Sequence, residues 1–159
     1  RGIRTTSGAE ATAEPVAEFT PATILFANKD VFWQRDIRRT PRDSALRDVR
    51  QSSEVPVGNY DKTIGIVGAS LIGRRVIELL GAFPHLRVIL YDPFVTSEEA
   101  RRIGVTKMEL DELCAACDVL SIHAPDLPST RHMIGASQLA ALRTGATVIN
   151  TARGALLER

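Results

Sequence analysis

The feature that most constrains this chain is a short apolar strand that runs without a spacer into a glycine-bracketed turn and then into an amphipathic helix. Thr63-Ile-Gly-Ile-Val67 reads as the strand and Gly68-Ala-Ser-Leu-Ile-Gly73 as the turn, while Ile72, Val76, Leu79, Leu80 and Phe83 recur at helical spacing behind it. Gly68 permits a tight reversal, and Gly73 lets the helix pack close to the strand. The N–H groups of the first helical turn, with no partners inside the helix, then point at whatever sits above the strand, a setting that suits phosphate oxygens.

A second apolar strand follows at residues 87–91, and Asp92 stands at its end, 19 positions after Gly73. Strand, glycines, helix, strand and acid together form the dinucleotide-binding pattern, in which the acid accepts hydrogen bonds from the adenosine ribose hydroxyls. The charge of Asp92 would repel a 2′-phosphate, and Pro93 and Phe94 bring no arginine to offset it, so the expected cofactor is NAD. The central glycine of the pattern is replaced by Ser70. Its hydroxymethyl group crowds the phosphates slightly, while its oxygen can cap the helix or bond a phosphate, so binding is expected to survive in weakened form.

The rest of the chain alternates in the same way. A helix is predicted over 96–103, with Thr96-Ser-Glu-Glu99 supplying the cap and first-turn acids. A weak strand is expected at 105–108, a helix at 110–117, a strand at 119–123, a helix at 137–142 and a strand at 147–150. The expected fold is therefore α/β, a Rossmann-type doubly wound parallel sheet, incomplete and preceded by a long helix. That helix is predicted over 11–33, burying a face made of Val16, Phe19, Thr23, Phe26 and Ala27, kinked at Pro21 and ended by Trp33. Residues 34–61 read as a charged connecting segment in which Arg35, Arg38, Arg39, Arg42, Arg47 and Arg50 mix with Asp36, Asp43 and Asp48. The expected division is residues 1–10 as the tail end of a substrate domain, 11–61 as linking helix and connector, and 62–159 as a truncated dinucleotide-binding domain.

Composition excludes some partners. Lys and Arg number 20 against 19 Asp and Glu, which leaves no field to gather nucleic acid or an anionic membrane. No apolar stretch approaches the ~20 residues of a membrane span, so a cytoplasmic protein is expected. Cys114 and Cys117 form one CxxC without a second ligand pair; they read as small residues packed on a helix face in a reducing compartment, and no metal is expected. Arg1 in place of Met, and Arg159 after an apolar turn, read as cut ends of a longer protein.

Four further segments resemble the D-isomer-specific 2-hydroxyacid dehydrogenases: Val16-Ala-Glu18, Tyr91-Asp-Pro93, Asp118-Val-Leu-Ser-Ile-His-Ala-Pro125 with Leu127-Pro-Ser-Thr130, and Val148-Ile-Asn-Thr-Ala-Arg-Gly154. The resemblance implies that the backbone of Leu71 and Ile72 lies under the pyrophosphate and that Asp92 holds the adenosine ribose. It implies that His123 and Ala124 line the cofactor pocket and that Thr151 and Ala152 approach the nicotinamide. Arg153 becomes the catalytic arginine, gripping the substrate carboxylate and polarising its 2-oxo group. The full cofactor set is then Gly68, Ser70, Leu71, Ile72, Gly73, Asp92, His123, Ala124, Thr151, Ala152 and Arg153.

Leu71 stands where the family often has Arg, which removes one phosphate contact. The family's proton-transferring histidine and its glutamate come later than Arg159, so this chain alone is expected to be inactive. His85 and His132 match neither role and read as surface residues. The small-molecule partner is a 2-hydroxyacid or 2-oxoacid, and the complete form is expected to be a homodimer joined in part through the first helix. The alternative is a non-catalytic NAD-binding module used for sensing or assembly. A short-chain reductase is disfavoured because no Tyr-x-x-x-Lys pair occurs.

Overall fold

The computed structural model describes residues 8–39 and 53–158. Its regular elements are α1 (Ala9–Asn28), α2 (Val31–Arg39), β1 (Lys62–Val67), α3 (Leu71–Leu80), β2 (Leu86–Tyr91), α4 (Ser97–Arg102), β3 (Thr106–Lys107), α5 (Leu110–Ala116), β4 (Val119–Ile122), α6 (Ala136–Ala141) and β5 (Thr147–Asn150), followed by a 3-10 turn (Gly154–Leu156). The strands form one parallel sheet in the order β3-β2-β1-β4-β5. This is the doubly wound order, whose direction reverses between β1 and β4, and ligands of such sheets lie over the carboxyl ends of the strands at that reversal.

Side-chain alternation along the strands explains why both faces are covered. Ile64 and Ile66 of β1, Leu90 of β2, Val119 of β4 and Ile149 of β5 enter one core with Val76, Ile77 and Leu80 of α3 and Ala17 and Ile24 of α1. Val67, Ile89, Leu120 and Ile122 point the other way, into a second core with Leu113, Cys114 and Cys117. Burial pushes the thiol of Cys114 up to about 11 and that of Cys117 to about 12, as packed and unreactive thiols require.

At the sheet end away from the glycine turn, the buried carboxylate of Asp118 accepts from the Thr63 N–H at 2.8 Å and from Arg143 Nη1 at 2.6 Å. The same guanidinium donates to the Glu54 carbonyl at 3.0 Å, which ties the entry to β1 onto β4. At α4 the cap predicted at Thr96 is present and is reciprocal: Thr96 Oγ1 accepts from the Glu99 N–H and Glu99 Oε2 from the Thr96 N–H.

The first helix departs from expectation in two ways. It ends at Asn28, Asp30 adopts a left-handed φ of 56°, and a second helix begins at Val31, so Trp33 lies inside α2 and the helical segment runs on to Arg39. The polar Asn28-Lys-Asp30 makes the break, and the apolar spacing that hid it continues across as an edge-to-face pair of Phe26 and Phe32, 6.2 Å between ring centroids. Pro15 and Pro21 both lie inside α1.

The buried face of α1 is also different. It consists of Ala13, Ala17, Thr20, Pro21, Ile24 and Asn28, while Phe19 and Phe26 are 62% and 51% exposed and Val16, Thr23 and Ala27 are half-buried. Small residues win this face because α1 lies close against α3, and a bidentate ion pair from Arg75 to Glu14, Nη2 to Oε1 at 2.6 Å, fastens the two helices. That pairing holds the Glu14 carboxyl below its usual range. Arg42, Asp43, Arg47, Asp48 and Arg50 of the expected connector lie outside the described residues.

Candidate cofactor site

The site is built at the carboxyl ends of β1, β2, β4 and β5. Gly68 leaves β1 with φ 97°, and a Cβ there would lie 2.6 Å from the Ala124 nitrogen, so the turn needs glycine both for its backbone and for its closeness to β4. A Cβ on Gly73 would lie 2.1 Å from the Gly68 carbonyl oxygen, which fixes how deeply α3 docks onto the turn. Ser70 is the N-cap of α3, and its Oγ accepts from the Gly73 N–H at 3.3 Å. The first-turn N–H groups of Leu71 and Ile72 find no acceptor among the described residues.

Asp92 closes the turn from β2. One carboxylate oxygen accepts from the Ala69 N–H at 2.7 Å and the other from the Phe94 N–H at 2.8 Å, which holds the acid at the strand end with lone pairs left for a ligand. Around it lies a cleft of about 420 Å³ lined by Gly68, Ser70, Asp92 and Ala124 together with apolar Val67, Tyr91, Phe94 and Met133, a shape and polarity that suit an adenosine. A second cleft of about 370 Å³ is lined by Ser70, Ile72, His123, Ala124, Thr151, Ala152 and Arg153. Ser70, Ala124 and Pro125 border both, so the two are halves of one trough bent over the glycine turn.

The structure thus brings together nine of the eleven residues expected to bind the cofactor as lining of this trough. The other two are not in its lining: the Leu71 side chain is exposed while its backbone starts α3, and Gly73 is buried under the turn.

His123 is buried, its Nε2 2.9 Å from Ser121 Oγ and its Nδ1 3.5 Å from Thr151 Oγ1. Thr151 Oγ1 in turn lies 3.4 Å from Thr20 Oγ1, so α1 reaches the site through a row of hydroxyls. Burial lowers the His123 pKa to about 4, so the ring is neutral at pH 7. His85, exposed and stacked 4.5 Å from Tyr60, and His132, exposed with φ 56°, are surface residues as expected.

Arg153 is exposed at the mouth of the second cleft. Asn150 sets its backbone: Oδ1 accepts from the Ala152 N–H at 3.0 Å and Nδ2 donates to the Arg153 carbonyl at 2.9 Å. Sequence reasoning missed Asn150, Ser121 and Thr20 as supports. An Asn directly before Thr-Ala-Arg is a visible turn signal, whereas the hydroxyl row depends on helix placement and left none. Among the described residues no group of three His, Cys, Asp or Glu side chains gathers as a metal site, and no helix is long and apolar enough to cross a membrane.

The low pKa of His123 has a measurable consequence. Between its folded value of about 4 and the unfolded value near 6.5, the unfolded chain binds a proton that the folded chain does not, so stability rises with pH across this window. Urea unfolding is expected to give a protein about 2 kcal/mol less stable at pH 5 than at pH 7.5. Most of that difference disappears in His123→Gln; a variant with the full pH slope assigns the effect elsewhere.

A parallel doubly wound sheet with a glycine turn, a strand-end acid and a two-part trough over its switch point defines a dinucleotide-binding domain. Residues 23–159 match the family described as D-isomer specific 2-hydroxyacid dehydrogenase, NAD binding domain, and the chain belongs to that family, whose cofactor is NAD. It is 31% identical over 159 residues to the D-3-phosphoglycerate dehydrogenase of Methanocaldococcus jannaschii, an alignment covering 99% of this chain and 29% of that protein. Among solved structures, the TT0316 protein from Thermus thermophilus matches with a TM-score of 0.76 at 28% identity, over 99% of this chain and 48% of that one. The D-lactate dehydrogenase with NAD+ from Lactobacillus jensenii matches with a TM-score of 0.71 at 27% identity, over 92% of this chain and 42% of that one. The chain therefore spans 29% of that phosphoglycerate dehydrogenase and less than half of these solved chains.

Proposed function

We propose that the full-length protein is an NAD-dependent oxidoreductase that interconverts a D-2-hydroxyacid and its 2-oxoacid, with this chain contributing the cofactor trough and Arg153. The observation that carries the proposal is the Asn150-held turn, which presents a guanidinium at the mouth of the cleft that Ser70, His123 and Thr151 line. Bound nicotinamide supplies or accepts the hydride. Arg153 holds the substrate carboxylate and draws electron density from the 2-oxo group as hydride arrives. His123, buried and neutral, would line the cofactor trough and not carry the proton, which falls to a group elsewhere in the full-length protein. The domain division is part of the proposal: residues 1–10 end a substrate domain, 11–61 link, and 62–159 bind the cofactor. The test is turnover of a panel of D-2-hydroxyacids with NAD by the full-length protein and by Arg153→Ala. Undiminished turnover in the variant overturns the assigned role.

We also propose that the protein works as a cytoplasmic homodimer joined through the outer face of α1 and α2. Phe19, Phe26, Val31 and Phe32 stand exposed there beyond what an isolated domain needs, and the free thiols of Cys114 and Cys117 suit a reducing compartment. Light scattering is expected to report a dimer, and a Phe19→Asp, Phe26→Asp double variant a monomer. A monomeric wild-type protein refutes the assembly.

A further inference from the structure

We propose that Arg74 supplies the positive charge that meets the diphosphate of the dinucleotide, a role that Leu71 at the start of the same helix leaves unfilled. The proposal rests on the NAD-binding reading and goes beyond it to a residue that the glycine pattern does not single out.

Arg74 lies in the first turns of α3, but its side chain turns back along the glycine loop, where Nε donates to the Ala69 carbonyl at 3.0 Å. This bond places Arg74 in the lining of the cleft that Asp92 also lines, each bonded to the backbone of Ala69. Among the described residues lining that cleft, Arg74 is the sole cation and Asp92 the sole anion. Its field reaches α4: Glu99 is held below the usual carboxylate range first by its bonds to Thr96 and in smaller part by Arg74.

Charge accounting gives this position its meaning. A diphosphate brings two negative charges to a turn where the carboxylate of Asp92 already bonds the Ala69 N–H. The Ser70 hydroxyl takes the Gly73 N–H, so Leu71 and Ile72 contribute the two first-turn donors that remain. Two amides and a helix dipole of about half a charge leave the diphosphate undercompensated beside Asp92. The arginine fork resolves this, because Nε can stay on the Ala69 carbonyl while both terminal nitrogens face phosphate oxygens. Lysine offers the charge without the second anchor.

The test titrates NADH by its fluorescence, and ADP-ribose, adenosine and NADPH by calorimetry, into wild-type, Arg74→Gln, Arg74→Met and Arg74→Lys protein at low and high salt. The glutamine and methionine variants are expected to bind NADH and ADP-ribose about tenfold more weakly, to bind adenosine as the wild type does, and to lose part of the salt dependence. The lysine variant falls between. Affinities equal to wild type, or adenosine weakened as much as ADP-ribose, overturn the charge role. A loss confined to NADPH transfers Arg74 to a 2′-phosphate and overturns the diphosphate assignment. Failure of the wild-type protein to bind NADH is a separate outcome, which removes the cofactor reading and this proposal with it. The side chain is exposed and makes one bond to the loop, so thermal midpoints of all four proteins are expected within a few degrees.

Discussion

Arg153→Ala, introduced into the full-length protein, is expected to lower kcat/KM for 2-oxoacid reduction by at least about a thousandfold while most NADH affinity survives. The size follows from what a guanidinium does at that place. In the proposed role it would pair with the substrate carboxylate in a fork and stabilise the oxygen where charge builds as hydride arrives, so its loss would weaken both binding and the transition state. Its backbone is set by Asn150, which bonds the Ala152 N–H and the Arg153 carbonyl, and its Nη1 donates to the Ala152 carbonyl at 2.9 Å beside the cleft mouth. Cofactor affinity is largely spared because the adenosine cleft and the glycine turn do not include Arg153. Arg153→Lys is expected to recover a minor fraction of the activity, since an ammonium cannot make the planar two-point contact. Steady-state kinetics with fluorescence titration of NADH decide the matter; a variant with wild-type kcat/KM contradicts the assignment.

Gly73→Ala is expected to cost about 2 to 4 kcal/mol of folding stability and at least tenfold in NADH affinity. The added methyl would stand 2.1 Å from the Gly68 carbonyl oxygen and 3.3 Å from His123 Cβ. The first contact is far inside van der Waals distance and involves backbone on both sides, so no rotamer change relieves it. Either α3 lifts from β1, opening the core of Val76, Ile77 and Leu80, or the Gly68 turn moves and the N–H groups of Leu71 and Ile72 lose their aim. Urea unfolding and NADH titration measure the two effects together. A variant with wild-type values for both would show that α3 does not dock so closely on the turn.

Local patterns carried much of this protein. The strand at β5 and the cap of α4 were legible because a short apolar run after a glycine and a capping threonine followed by acids act over a few residues. The glycine turn was legible for the same reason: a left-handed Gly68 next to an apolar strand has few other uses. The first helix shows where such reading stops. Phe19 and Phe26 read as its buried face because they recur at helical spacing with Val16, Thr23 and Ala27, yet Ala13, Ala17, Thr20 and Ile24 are buried instead. Helical spacing names candidate faces; which one is used depends on how close the partner helix comes, and small residues permit the closest approach. The break after Asn28 escaped because Val31 and Phe32 continue the apolar rhythm across it.

The sequence by itself determined the class of fold, the first βαβ unit, the glycine turn and the acid that faces it, since each rests on backbone preference or on spacing within one unit. Tertiary structure alone decided which face of α1 is covered, that His123 is neutral between Ser121 and Thr151, and that Arg74 turns back along Ala69 into the adenosine cleft. These features come from groups far apart in the chain or from a side-chain direction that spacing does not encode, and burial, charge and contact exist for them only once the sheet has assembled.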